Sequence, residues 1–150
     1  MNKKTQKKYV DTGFGFPVHL LNVPMVKVRG HWTPEINYAE LSHIVIMALV
    51  SKPARLTGNE LKYLRNKLEM NLQDFSDRFY VTHPAVIKWE KKKDKPTGMK
   101  WATEKDIRLC IYEEFDGENL SEIYNQLSHQ ASNKKVNTKI DVAEEEVVLV

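Results

Sequence analysis

Three helix-capping signals follow one another closely in the middle of the chain and limit what this stretch can fold into. Thr57 and Glu60 have the spacing of a capping box, in which the hydroxyl and the carboxylate each bond a free backbone amide at the start of a helix. Asn71 predicts the cap of a second helix. Thr82, with Pro84 in the first turn, predicts the cap of a third. These signals predict short helices joined by tight turns in place of one long helix.

Apolar residues at helical spacing predict further helices on both sides of this segment. Residues 38–51 are predicted to form a helix with one buried face, which ends before Pro53. Another helix begins at Thr103 and ends near Phe115, and residues 120–127 form a short final helix. Polar residues after that predict a flexible segment, and the last eleven predict either a frayed end or a strand that docks on a partner chain.

The chain before residue 38 has a different pattern. Its first residues are rich in lysine, and short β-type runs follow at 18–23 and 25–29, between glycines and prolines. We therefore expect a mainly α protein: a helix-turn-helix bundle with a small N-terminal antiparallel β element of two or three strands. The expected divisions are a disordered leader at 1–8, a strand-plus-helix module at 9–52, a helix-turn-helix domain at 53–127 and a flexible tail at 128–150.

Charge and cysteine content narrow the class of protein. The formal net charge is +3, and lysines concentrate at the N-terminus and in the middle, from Lys88 to Lys95. A basic centre in a nearly balanced chain is typical of a phosphate-contact surface. Cys110 is the single cysteine, so no disulfide or paired-cysteine zinc site is expected, and a buried structural thiol in a cytoplasmic protein fits best. No signal peptide or membrane-spanning segment is expected.

Residue types that enzymes use are not arranged for catalysis here. The five histidines are scattered, without the spacing of metal ligands. Gly13 and Gly15 lack the rest of a phosphate-binding loop, and no helical pattern follows them. The sequence therefore predicts that the protein is not an enzyme and has no catalytic residues, no metal and no cofactor.

Residues 72–91 have the pattern of a helix-turn-helix, which needs two short helices and a second helix with a sealed inner face and a polar outer face. The predicted inner contacts are Phe75, Val81, Val86 and Trp89. The predicted outer surface, which is the part of such a helix that reaches the major groove, carries Thr82, His83, Ala85 and Lys88.

A family resemblance rests on the run Val81-Thr82-His83-Pro84-Ala85-Val86-Ile87-Lys88-Trp89-Glu90. It is similar to the Val-Ser-x-x-x-Ile-x-x-Trp-Glu pattern of the Cro/lambda-repressor (XRE) family of helix-turn-helix regulators. The run from Leu56 to Arg65, preceded by a strand-and-helix module, is similar to the DNA-binding part of MqsA-type and HigA-type antitoxins. The resemblance implies a lambda-repressor-like fold. The chain departs from the family at Leu72, where Gln is frequent, and at Tyr80, where Gly is usual, and it lacks the zinc-binding cysteines of MqsA-type proteins.

The predicted DNA-binding residues lie at the starts of two helices and in the basic run that follows: Asn71, Gln73, Thr82, His83, Pro84, Ala85, Lys88, Lys91, Lys92 and Lys93. For most of them a structural role is the alternative. His83 contacts a base or a phosphate or is merely solvated, and the consecutive lysines either hold the DNA backbone or form a solvated charge run. Arg65 and Lys67 either meet a phosphate or favour the end of their helix.

These features predict a sequence-specific transcriptional regulator that binds double-stranded DNA at an operator as a homodimer, because one recognition helix reads few base pairs. The antitoxin resemblance implies an autorepressor of a toxin–antitoxin pair, with a toxin as partner. The alternative is a protein-interaction module that neutralises a partner protein, with DNA binding secondary. The dimer surface is either the helix at 38–51 or the segment after Thr103, and the sequence does not choose between them.

Overall fold

A computed structural model of the chain describes residues 2–115 and 117–148. They form two compact units. Unit 1 contains residues up to Ala48 together with those from Asn137 onward, and unit 2 contains the chain between them.

The described residues contain five strands and six helices. The strands are β1 (Lys3–Asp11), β2 (Val18–Val28), β3 (His31–Pro34), β4 (Thr138–Asp141) and β5 (Glu146–Val147). The helices are α1 (Tyr38–Val50), α2 (Gly58–Lys67), α3 (Leu72–Arg78), α4 (His83–Glu90), α5 (Trp101–Phe115) and α6 (Leu120–Gln126). No helix in the described part of the chain has the length and apolar character that crossing a membrane requires.

Unit 1 is built on a sheet with β2 at its centre. β1 pairs antiparallel with β2 along one edge, while β3 (antiparallel) and β4 (parallel) pair with different halves of β2 on the other edge. β5 continues the sheet beyond β4. Asn22 has a positive φ of 55°, and the buried positions of β2 change there from Val18 and Leu20 to Val23 and Met25. The backbone irregularity therefore keeps apolar side chains on one face of a strand whose alternation is interrupted.

The predicted fold class is wrong. The sequence predicted a mainly α, lambda-repressor-like helix-turn-helix bundle with one small antiparallel β element, but the sheet has five strands and includes a parallel pair. The physical reason is that β2 and β4 are joined by hydrogen bonds between segments at opposite ends of the chain, Val18 pairing with Thr138. A pattern read over a short window of sequence contains no information on such a pairing.

Strands form in two segments where the sequence predicted disorder or flexibility. Most of the predicted disordered leader lies in β1, and part of the predicted flexible tail forms β4 and β5. A lysine-rich segment is compatible with an edge strand, since charged side chains protect such an edge against further pairing. β4 docks on β2 of the same chain, with Ile140 fully buried, where the sequence predicted fraying or a partner chain.

Unit 2 confirms the three capping signals. The Thr57 side chain accepts a hydrogen bond from the Glu60 amide at 3.2 Å, and the Glu60 carboxylate accepts one from the Thr57 amide at 2.9 Å. Asn71 caps α3 through the Asp74 amide, and Thr82 caps α4 through the Ala85 amide. The first residues of these helices could be predicted because a cap depends only on residues within the first helical turn.

A buried network of charges joins the start of unit 2 to α2 and α5. Arg108 is fully buried, and its guanidinium bonds Glu104 at 2.7 Å and the backbone carbonyls of Lys52 and Ala54. Burial lowers the pKa of Arg108, an effect that the adjacent Glu104 carboxylate opposes. Glu104 also accepts from Arg55, and Lys52 bonds Glu60. The sequence indicated only a short connection here, because charged residues next to a proline look like loop.

Candidate nucleic-acid interface

α3 and α4 are joined by a tight turn. α3 ends with Phe79 at its C-cap, Tyr80 follows with a positive φ of 56°, and the Val81 amide donates to the Ser76 carbonyl at 3.0 Å. Thr82 then caps α4. The left-handed residue in the turn allows the chain to reverse and start the second helix at once. Residues 72–91 therefore contain the two short helices and the tight turn that the sequence predicted there.

α4 has one sealed face and one open face. Val86 is fully buried, and Trp89, three residues further along the helix and so on the same side, is half-buried. Thr82, Pro84 and Lys88 are exposed on the other side. His83 and Ala85 are half-buried beside them. The open face therefore presents a hydroxyl, a long cation and small apolar groups, which are the types of side chain that contact base edges and phosphates.

The C-terminal end of α4 is fixed by a bidentate ion pair. Arg65 donates to both oxygens of the Glu90 carboxylate, at 2.7 and 3.0 Å, and to the Met70 carbonyl at 3.0 Å. Both side chains are largely buried. Arg65 thus holds α4 against α2, and of the two roles weighed for it the geometry favours a structural one. The two hydrogen bonds between guanidinium and carboxylate give this contact its directionality.

Gly58 permits the close approach of α2 to the end of α4. A Cβ atom at Gly58 would lie 2.5 Å from the Trp89 carbonyl oxygen and 2.7 Å from the Lys93 amide nitrogen. In the structure the Asn59 amide donates to the Lys93 carbonyl at 2.9 Å. The basic run after α4 is consequently anchored through its backbone, while its side chains stay exposed at Lys91, Lys92, Lys93 and Lys95.

A shallow groove connects the open face of α4 with this basic run. It is lined by Pro84, Ile87, Lys88, Lys91 and Lys92. Its lining surface is mainly apolar, and three of its lining residues are lysines. Ile87 is half-buried at this groove. A mainly apolar groove lined by lysines suits a polyanion that also carries apolar groups, such as DNA with its thymine methyls.

Asn71 and Gln73 lie at the start of α3, on a different helix from the other predicted contacts. Asn71 is exposed and its side-chain oxygen is used by the cap. Gln73 is exposed and its amide donates to the Asp77 carboxylate at 2.9 Å. The structure thus brings together the predicted residues of α4 and the lysine run, and leaves these two on the neighbouring helix.

Sequence reasoning missed one conspicuous surface residue. Tyr80 is 92% exposed in the α3–α4 turn and has the left-handed backbone that glycine adopts most easily. The sequence signal for this residue was the departure from the XRE pattern, which usually has Gly where Tyr80 stands.

Neither a search for metal-binding side chains nor comparison with known proteins assigns a further functional site. Within residues 2–115 and 117–148, no three or more His, Cys, Asp or Glu side chains are grouped to hold a metal ion. Comparison with protein-family models, with curated proteins and with solved structures finds no match for this chain.

Proposed function

We propose that this protein binds double-stranded DNA sequence-specifically through α4, as a helix-turn-helix regulator of the XRE type. The observation that carries the proposal is the division of α4 into a buried side at Val86 and an open side at Thr82, Pro84 and Lys88. The helix is capped at one end and clamped by Arg65 at the other, so its open side is rigid. A rigid, polar and basic helix face is what major-groove reading requires.

The contacts divide into two kinds. Lys88 and His83 are proposed to reach base edges, with Pro84 and Ala85 giving apolar contacts to thymine methyls. Thr82 and the lysines from Lys91 to Lys93 are proposed to hold phosphates, and Asn71 and Gln73 to position the backbone from the start of α3. Only the first group sets sequence preference, because phosphates are the same at every base pair.

Selection of bound sequences from random duplex DNA tests this proposal. We expect one enriched motif, and a loss of affinity for it of at least about tenfold in a variant with His83→Ala and Lys88→Ala, because each good base contact is worth about 1–3 kcal/mol. The matched control is His129→Ala with Lys134→Ala, which removes the same residue types from exposed positions outside α4. Failure to enrich any duplex, or equal losses in both variants, would contradict the proposal.

We further propose that the regulator acts as a homodimer through α6, in the segment after Thr103. Leu120 and Tyr124 are 43% and 51% exposed and share a helix face by their spacing of four residues. The other surface considered, α1, already buries most of its large apolar side chains. The other face of α6 is used within the fold, since Ile123 and Leu127 are buried.

Light scattering tests the dimer. The wild type is expected at twice the 17.5 kDa mass of one chain. Leu120→Ser with Tyr124→Ser is expected to give monomers and weaker operator binding. Val10→Ser is the control, because Val10 is comparably exposed, at 49%, but lies in unit 1. A monomeric wild type, with and without its DNA site, would exclude the homodimer.

A further inference from the structure

The end of the unit 1 sheet that contains the β2–β3 hairpin turn has a basic surface, which is not part of the proposed DNA interface. It is formed by the start of β1, the end of β2 and β3. Arg29 and Gly30 make the two-residue turn between β2 and β3, with φ values of 50° and 80°, which is the conformation of a tight hairpin turn. We call this surface the basic tip and define it by Lys3, Lys4, Lys27, Arg29, His31 and Trp32.

Two lysines approach the Trp32 ring on one face of the tip. It is paired with Lys27 across β2 and β3, and Lys4 is paired with Met25 on the same face. The Lys4 Nζ lies 4.4 Å from the centre of the indole ring, and the Lys27 Nζ lies 5.9 Å from it. The ring is 37% exposed. Met25 on this face is buried, whereas Trp32 is partly exposed. The core therefore covers the face at Met25 and leaves it accessible to solvent at Trp32.

The tip has a strong excess of positive charge. Residues 2–34 contain Asp11 as their single acidic residue, against Lys3, Lys4, Lys7, Lys8, Lys27 and Arg29. Asp11 lies at the opposite end of β1, where it accepts a hydrogen bond from the Tyr38 hydroxyl. Glu35 approaches Lys3 at 3.8 Å, but both side chains are more than half exposed, so this ion pair neutralises the tip only weakly.

From these observations we propose that the basic tip binds single-stranded nucleic acid. A base stacks on Trp32, displacing the Lys4 ammonium from the ring, and Lys4, Lys27 and Arg29 hold the flanking phosphates. An exposed aromatic ring framed by cations is the arrangement that binds single strands, whereas the base faces of a duplex are covered by stacking. The site therefore has a ligand different from the duplex assigned to α4.

An anionic membrane is the other ligand that basic and aromatic residues attract, and the register argues against it. Membrane insertion needs a contiguous apolar face. Val28, a large apolar residue next to the basic tip, is 48% exposed. It is adjacent in sequence to Lys27 and therefore points to the opposite face from Trp32. The two apolar side chains cannot enter one surface together.

The test measures binding of a fluorescein-labelled oligothymidylate by anisotropy at low salt. All variants are made in the full chain carrying His83→Ala and Lys88→Ala, so that a failure at α4 and a failure at the tip are distinguished. We expect Trp32→Ala to weaken binding about tenfold or more, as the loss of one stacked base does, and Trp32→Phe to keep most of the affinity. Lys4→Ala with Lys27→Ala should also weaken binding and reduce its salt dependence. The control is Lys134→Ala with Lys135→Ala, which removes two exposed lysines of unit 2 and should have a smaller effect.

A second readout does not depend on Trp32→Ala folding. Oligothymidylate should quench tryptophan fluorescence in the wild-type tip, and Trp32→Phe should remove that quenching while the oligonucleotide still binds. The proposal is overturned if no single strand binds, if Trp32→Ala binds like Trp32→Phe so that charge alone acts, or if duplex competes as well as single strand. It is also overturned if phosphatidylserine vesicles capture the protein in a Trp32-dependent manner and oligothymidylate does not displace them.

Discussion

Single residues in unit 2 make buried contacts that their positions in the sequence do not indicate. Glu104 is fully buried and accepts hydrogen bonds from Arg55, Arg108 and the Leu56 amide. One carboxylate thus accepts hydrogen bonds from two guanidinium groups and from one backbone amide. Buried charges of this kind persist only as a complete set, because each partner left alone keeps its full desolvation cost.

Neutralising Glu104 should therefore be costly. We expect Glu104→Gln to lower the free energy of unfolding by about 3 kcal/mol, the cost typical of leaving a buried charge uncompensated. Asp106→Asn is the matched control on the same helix: its 3.8 Å contact with Arg78 is roughly half exposed on both sides, and we expect a loss of about 0.5 kcal/mol or less. Urea unfolding of both variants makes the comparison, and equal losses would contradict the assigned role of Glu104.

At the scale of elements, two threonine caps offer a way to separate stability from DNA binding. Thr57 caps α2 and Thr82 caps α4, with the same hydroxyl-to-amide geometry at 3.2 Å. Replacing either with Ala should cost about 1 kcal/mol of stability. Only Thr82→Ala should also weaken duplex binding, because only Thr82 lies on the proposed interface. Thermal unfolding and anisotropy on the selected duplex measure the two effects. A change of base preference in Thr57→Ala would show that the groove-facing surface lies elsewhere.

The elements also show what the sequence could predict. The caps at Thr57, Asn71 and Thr82 were predicted correctly because a cap depends on residues within one turn of helix. β1 was missed because its lysines match the composition of a disordered segment and its order comes from pairing with β2. The residues of the α4 face were predicted from the helix-turn-helix pattern over residues 72–91. The Arg65–Glu90 ion pair was not, because it joins residues that are 25 apart in sequence and has no local signature.

At the scale of the whole molecule, the chain order and the spatial units differ. Unit 1 takes its sheet from both ends of the sequence, and unit 2 is inserted between them. The side chains of Asn22 and Asp141 are hydrogen-bonded at 2.9 Å across a separation of 119 residues. Unit 1 therefore completes its sheet only when β4 has docked, while the contacts of unit 2 are more local.

This organisation predicts that a destabilising core substitution increases local unfolding only in the unit that contains it. Ile140 in β4 and Leu64 in α2 are both fully buried, one in each unit. Truncation of either to Ala should cost about 2–5 kcal/mol through lost burial and the cavity left behind. We expect Ile140→Ala to speed hydrogen exchange of the β1, β2 and β4 amides and to spare those of α2 to α5, and Leu64→Ala to do the reverse. If either variant accelerated exchange throughout the chain equally, the two units would open as one cooperative body, and Ile140→Ala would then weaken binding to the selected duplex as well.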